Sequence, residues 1–321
     1  MATYKEIKGT GIQNFSSDPS NPVTGQIWYN STTNLVKAFL VNPGSWATGG
    51  DLNAARADAG GAGTQTASLN FGGEYAPAGP DYGTATEAYN GTNWTEVNNL
   101  NTGRKALGGA GTQTAALAFG GDYPFKTVTE SWNGSNWTEV NDLNRAGSQM
   151  GSAGTQTAAL SFGGDPSNTP AAVLTELWNG TNWTNVNNLN NAHRLTQGTG
   201  ATNTAVLCFG GSGNFKTELW NGTNWTEVNN LPLRLEQGAA AGISTSALSF
   251  GGEPFLATTL SWNGTNWSSA ADMSIGRRFT TGTGVQTAAL ASGGGAAPTG
   301  AGIVSTEEWN AGPETVSFTV S

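Results

Sequence analysis

Six copies of one short run limit what this chain can fold into. The run reads T-[A/S]-x-L-x-F-G-G and appears at 66–73 (TASLNFGG), 114–121 (TAALAFGG), 157–164 (TAALSFGG), 204–211 (TAVLCFGG) and 245–252 (TSALSFGG). A sixth copy at 287–294 (TAALASGG) has serine in the aromatic place. The second glycines fall at 73, 121, 164, 211, 252 and 294, so the unit repeats every 41 to 48 residues. That is the length of a propeller blade or a solenoid turn. A unit so short cannot cover its own apolar face, so copies must stack on one another.

Each regular unit divides into four short strands. The first holds almost no bulk, as in 106–111 (ALGGAG) and 238–242 (GAAAG), which suits a strand crowded round a central axis. The second, such as 115–119, is apolar throughout and ends at Gly-Gly, where absent Cβ atoms allow a tight bend. The third carries T-E-x-W-N, with Glu130 and Trp132, Glu176 and Trp178, or Glu218 and Trp220. The fourth opens on a second tryptophan (Trp137, Trp183, Trp225, Trp267). Asn-Gly at 90/91, 133/134, 179/180, 221/222 and 263/264 supplies the hairpin turn between them. The expected class is all-β.

The glycine doublet, the aromatic ending the third strand, the tryptophan opening the fourth and an arginine soon after resemble the kelch motif. Arg56, Arg104, Arg145, Arg194, Arg234 and Arg277 fill the arginine place. The resemblance covers nearly the whole chain and implies a single β-propeller of four-stranded kelch-like blades. Residues 53–321 supply six regular repeats, and 1–52 form either an irregular first blade or an attachment segment. Seven blades are favoured, with six as the alternative. GTGIQ at 9–13 matches GTGVQ at 282–286, and the interval from Trp28 to Trp46 equals that from Phe119 to Trp137. The texture NGTNWTEVNNLN also resembles kelch-like proteins of bacteriophages, and GQIWYNSTTNLVKAFLV is similar to hairpins of phage tail and fibre proteins.

Composition excludes several function classes. Only 11% of residues are charged and the net charge is −9, so clustered cations for a phosphate backbone are lacking and nucleic acid is not an expected partner. The single cysteine, Cys208, permits no intrachain disulfide and reads as a small buried hydrophobe. The opening MATYKEIKGTG has no apolar signal core, and no apolar run approaches about 18 residues, so membrane insertion is not expected. The chain is expected to be made in a host cytoplasm without a signal peptide and to end in the virion tail.

An enzyme is not expected either. His193 is the only histidine, and no Ser-His-Asp or zinc constellation can be assembled. Copper-radical oxidases built on kelch propellers fail as a comparison on the same count, so no metal or cofactor is expected. Glycosidase chemistry needs only two carboxylates, for which Asp81, Asp122 and Asp165 stand in separate blades. The recurrent Glu87, Glu130, Glu176, Glu218 and Glu307, with Glu96, Glu139 and Glu227, read as surface strand positions that pair with neighbouring side chains. The Asn-Gly-Thr sequons read as hairpin turns rather than glycosylation sites.

Variation among the copies points to a binding face. The Asn-Gly turn and the GTQT turn hardly change, whereas the link after Gly-Gly reads EYAPAGPDYG, DYPFK, DPSNTPAA, SGNF, EPFLA and GAAPTGAG. In a propeller this link and the one from fourth to first strand emerge on the same side. Tyr75, Tyr82, Tyr123, Phe125, Phe215 and Phe255 then share a surface with Arg104, Arg194 and Arg234. Aromatic rings suit stacking on sugars, and arginine suits hydroxyl or acidic groups. A second reading stays open, in which the aromatics cap blade cores and the arginines tie blades together. The expected function is a non-enzymatic recognition or structural propeller, a phage tail or fibre component contacting a host-surface glycan or receptor, or a neighbouring virion protein. The alternatives are a cellular protein-protein interaction module and a glycan-acting hydrolase. Homo-oligomerisation stays open.

Overall fold

The computed structural model describes residues 12–75, 83–122, 125–166 and 172–318, and among them every regular element is a strand. The chain forms two compact units, Ser45–Asn310 and a smaller one of Met1–Gly44 with Ala311–Ser321.

Ser45–Asn310 is a propeller of six four-stranded antiparallel blades. Blade 1 runs Gly60–Gly63, Ser68–Phe71, Thr86–Tyr89, Trp94–Val97, and blade 2 runs Gly108–Thr112, Ala115–Phe119, Thr129–Trp132, Trp137–Val140. Blade 3 is Gly151–Thr155, Ala158–Phe162, Thr175–Trp178, Trp183–Val186. Blade 4 is Gln197–Thr202, Ala205–Phe209, Thr217–Trp220, Trp225–Val228. Blade 5 is Ala239–Ile243, Ser246–Phe250, Thr259–Trp262, Trp267–Ser269. Blade 6 takes Thr281–Val285, Ala288–Ser292 and the start of Thr306–Phe318, and its outer strand is the end of Leu35–Thr48.

Of the two blade counts the sequence allows, six is found. Trp46 does hold an outer-strand tryptophan place, but in blade 6. Its ring centroid lies 5.0 Å from Phe250 and 5.5 Å from Trp309, and its Nε1 donates to Thr259 Oγ1 at 2.9 Å. The matching interval from Trp28 was therefore a coincidence of length. Strands Leu35–Thr48 and Thr306–Phe318, far apart in sequence, are neighbours in the last sheet, which closes the ring.

Burial explains the repeat. The second strands are buried on both faces, with Ala116, Leu117, Ala118 and Phe119 at 0% exposure. Apolar clusters lie between blades, as where Leu117 and Phe119 of blade 2 meet Ala159, Trp178 and Trp183 of blade 3. Each outer-strand tryptophan donates to the third-strand threonine of the preceding blade. Trp137 reaches Thr86 (3.1 Å), Trp183 reaches Thr129 (3.0 Å), Trp225 reaches Thr175 (3.0 Å), and Trp267 reaches Thr217 (3.1 Å). Trp94 closes the series on Thr306 of blade 6 at 3.1 Å. The inner strands approach so closely that a Cβ on Gly109 would stand 2.4 Å from the Gly61 carbonyl oxygen, which accounts for their glycine and alanine.

The constant GTQT turn is also an interblade device. Gln113 Nε2 donates to the Tyr89 carbonyl at 2.5 Å, Gln286 to that of Trp262 at 2.7 Å, and Gln65 to that of Trp309 at 2.6 Å; Gln156 reaches Trp132 in the same way. Constancy on this face follows from stapling neighbours together.

In the smaller unit, Ile27–Asn30 pairs antiparallel with Leu35–Thr48 and parallel with Gln13–Phe15. Asp18 accepts from Lys37 Nζ (2.7 Å), Asn30 Nδ2 (2.7 Å) and Trp28 Nε1 (3.1 Å), and these bonds hold its carboxyl down to about 2.

Candidate functional site

Links from second to third strand and from fourth to first do meet on one face. Two-residue ladders join them: Arg56 and Ala57 face Tyr75 and Glu74, Gly147 and Ser148 face Pro166 and Asp165, Arg277 and Arg278 face Ala296 and Gly295. An isolated bridge joins Lys105 to Asp122. The varied links are thereby pinned to a rigid frame.

The second glycine of each doublet donates to a carbonyl in the next fourth-to-first loop. The acceptors are Arg104, Gly147, His193, Leu235, Arg277 and Arg56, at 2.7 to 3.0 Å. These six define the true slot, and three of the arginines assigned from sequence stand outside it. Arg194 and Arg234 fall beside it and are exposed. Arg145, two residues before Gly147, sends its Nη2 back to the Gly163 carbonyl at 2.9 Å.

Slot side chains are structural. Arg104 Nη1 meets Glu130 at 2.9 Å with both side chains fully buried, and Arg56 with Glu87 and Arg277 with Glu307 form the same buried pair. Arg104 therefore presents nothing to a ligand, which corrects its expected place on the binding surface. The glutamates Glu87, Glu130, Glu176, Glu218 and Glu307 are likewise buried hubs rather than surface positions. Each also accepts from the loop: Asn101 donates both N and Nδ2 to Glu130 at 2.8 Å. Burial lowers the affinity of Arg104, Arg145 and Arg277 for their protons, while facing carboxylates oppose that shift.

Blades 4 and 5 vary the hub in instructive ways. In blade 4 His193 stands in the slot, with Nδ1 2.8 Å from the Gly210 carbonyl and Nε2 3.3 Å from Glu218 Oε1. Burial disfavours the imidazolium, but interactions with Cys208, Glu218 and the Gly210 carbonyl outweigh it and push His193 up to about 10. Burial opposes the charge on Glu218 too, yet His193, Asn190 and Asn191 hold it down to about 2. In blade 5 Leu235 fills the slot and Leu260 replaces the glutamate, both at 0% exposure. Pro232, which has no N–H, stands there in the place of Asn101.

Of the expected site residues, the outer ones gather into pairs. Arg194 meets Asp165 at 2.8 Å, Arg234 meets Glu236 at 2.8 Å, and Phe215 is 51% exposed. Leu231, in the loop that carries Arg234, donates its N–H to the Phe215 carbonyl at 2.9 Å. Phe255 is half-buried, with the Arg278 guanidinium 5.0 Å from its ring centre and 5.2 Å from that of Phe279. Arg278 also pairs with Glu253 at 2.5 Å. Phe125 is half-buried. Tyr82, Tyr123 and Asp81 lie outside the described residues, as does the side chain of Tyr75.

Sequence reasoning passed over a ring at the centre of this face. The residues two past each slot are Asp58, Ala106, Gln149, Leu195, Gln237 and Phe279, all left-handed with φ from 50 to 60°. Ala106 N–H donates to Asp58 O (2.7 Å), Gln149 to Ala106 (2.8 Å), Gln237 to Leu195 (3.5 Å), Phe279 to Gln237 (2.6 Å), and Asp58 to Phe279 (3.0 Å). The ring encloses a cavity of about 110 Å³ at the mouth of an axial channel of about 360 Å³ walled by the six inner strands. No sequence signal marks it, because the six places hold five residue types and none is glycine.

Among the described residues no group of three His, Cys, Asp or Glu side chains could hold a metal ion. Asp122 and Asp165 stand on blades 2 and 3, and Asp165 is engaged by Arg194.

No protein-family profile and no curated protein sequence matches this chain. Among solved structures, that of YjhT superimposes with a TM-score of 0.62 and 12% identity over 84% of this chain and 97% of YjhT. At that identity the likeness concerns the fold alone, and with the blade order it identifies the chain as a β-propeller of four-stranded blades.

Proposed function

We propose that the chain is a non-enzymatic recognition propeller, a component of a bacteriophage tail or fibre, whose varied face contacts a host-surface glycan or a neighbouring virion protein. The observation that carries this reading is an asymmetry between the two faces. On one, GTQT glutamines and Asn-Gly turns repeat because each makes the same bond. On the other, links of unlike length and composition are fixed by short ladders and present Phe215, Arg194 and Arg234. Variable loops on a rigid scaffold are where binding concentrates. The virion assignment rests on the likeness of the repeat texture and of the 25–41 hairpin to phage tail and fibre proteins.

A glycan array probed with the purified protein, beside a pull-down on host cells, tests the reading. Phe215→Ser with Arg234→Ala should weaken binding while leaving the melting temperature nearly unchanged. The control is Ser135→Ala in the turn after Thr129–Trp132, which should bind normally. Loss of binding in the control alone would overturn the face assignment. Mass spectrometry of purified phage particles tests the virion assignment separately.

A further inference from the structure

Where the links of blades 5 and 6 meet, one arginine is held in place by aromatic rings. The Arg278 guanidinium carbon lies 5.0 Å from the ring centre of Phe255, in the blade-5 link, and 5.2 Å from that of its chain neighbour Phe279. Its Nη1 donates to Glu253 Oε2 at 2.5 Å. Among the described residues, Arg278 Nη2 and Glu253 Oε1 have no hydrogen-bond partner and neither atom is buried. The two side chains are 29% and 34% exposed. Arg194, by contrast, spends Nε and Nη2 together on Asp165 and is 51% exposed. A guanidinium fixed between rings loses little freedom when a ligand arrives.

The backbone serves the same arrangement. Phe255 is held at φ 135°, a conformation that non-glycine residues rarely adopt. Its N–H donates to the Gly252 carbonyl at 2.9 Å, and Arg277 N–H donates to that of Leu256 at 3.0 Å. Strain pinned in this way collects where a side chain must be aimed, and the Phe255 ring stays partly exposed. Gly300, in the blade-6 link, stands against the same groups. A Cβ on it would lie 3.2 Å from Arg278 Nη2 and 3.5 Å from Phe255 Cζ, so glycine there leaves the free donor uncrowded.

A free donor beside a free carboxylate oxygen, next to an apolar ring, selects a ligand chemistry. A hydroxyl both accepts and donates, so two neighbouring hydroxyls satisfy Nη2 and Oε1 together. An acidic ligand would meet Glu253 and a cationic one Arg278, each as an unfavourable like charge. We infer that this junction binds a terminal neutral hexose, with two adjacent hydroxyls on Arg278 Nη2 and Glu253 Oε1 and its C–H face against Phe255. The inference rests on the reading that this face recognises a host-surface glycan, and it names the sugar class and the subsite.

The test is an array of glycans ending in glucose, galactose or mannose beside others ending in glucuronate or galacturonate. Wild type should retain the neutral ends and pass over the uronates. Arg278→Lys keeps the charge but loses the planar donor, and should lower the neutral signal by about tenfold. Glu253→Gln removes the repulsion and should raise the uronate signal relative to the neutral one by about tenfold. That ratio is read within one folded variant, so instability cannot imitate it. Both melting temperatures should stay near that of wild type, because the ion pair is partly exposed. Wild-type preference for uronates, or wild-type profiles in both variants, would overturn the subsite and leave the glycan reading standing. A wild type that retains no glycan would overturn both.

Discussion

Blade 5 shows how the chain itself rebuilds a buried hub without charge, and this makes a quantitative test possible in blade 2. Replacing Glu130 by leucine leaves the Arg104 guanidinium fully buried with backbone carbonyls as its remaining partners, Ala118 at 3.2 Å and Thr102 at 3.5 Å. It also strips the acceptor from the Asn101 and Thr102 N–H groups. Breaking a buried ion pair by removing one partner costs about 3–5 kcal/mol, because the other charge stays desolvated. For a chain of 321 residues that corresponds to a fall in Tm of roughly 4–8 °C. The triple change Asn101→Pro, Arg104→Leu, Glu130→Leu copies Pro232, Leu235 and Leu260 of blade 5. It removes both charges and one orphaned donor together, and apolar replacement of a whole buried pair is often neutral. The triple variant should therefore melt within about 2 °C of wild type. Differential scanning calorimetry on wild type, Glu130→Leu and the triple variant decides the matter. A single variant that melts like wild type, or a triple variant no better than the single, would refute the account of the hub.

His193 gives a pH test of the same hub in blade 4. Its folded-state value near 10 lies above the ordinary 6.5, so its contribution is full below pH 6.5 and is lost as pH rises through about 10. His193→Arg should flatten the decline in Tm between pH 7 and pH 10, and an unchanged slope would contradict the charged-imidazole reading. Trp183→Ala removes a ring packed 4.8 Å from Phe119 and its bond to Thr129; it should cost about 3–5 kcal/mol, read from denaturant midpoints. Ring closure is tested by truncation. A 53–321 fragment, lacking Trp46 and its strand, should aggregate or lose cooperative unfolding, whereas a 45–321 fragment should keep a cooperative transition.

Much of this architecture was legible in the residues. A fixed period, paired tryptophans and Asn-Gly turns specify four-stranded blades because each feature has one local cause that recurs. The blade count was harder to read, for the sixth repeat ends at Trp309 with no Asn-Gly-x-Asn-Trp after it, while Trp46 appears with no third strand of its own before it. Those two half-repeats complete each other, but only pairing between distant segments brings them together. The arginine slot departs from Arg145, Arg194 and Arg234 because backbone register, not residue identity, decides it. A carbonyl accepting from the glycine doublet fixes the position, and any side chain can then occupy it, as His193 and Leu235 do. On the outer face, Phe215, Arg194 and Arg234 are exposed, while Arg104 is claimed by Glu130.

Closing the last blade with residues 45–48 has a consequence for synthesis. The strand that seals the ring is made before every other strand of the six blades, and its partner, Thr306–Phe318, after them. Until then the blade-6 side of Phe250 and the outer edge of blade 6 have no cover. Folding of the nascent chain must therefore hold a sticky, open-ended arc of blades until the sixth blade has been made, a long-range joining step of the kind that slows folding and invites pairing between neighbouring copies.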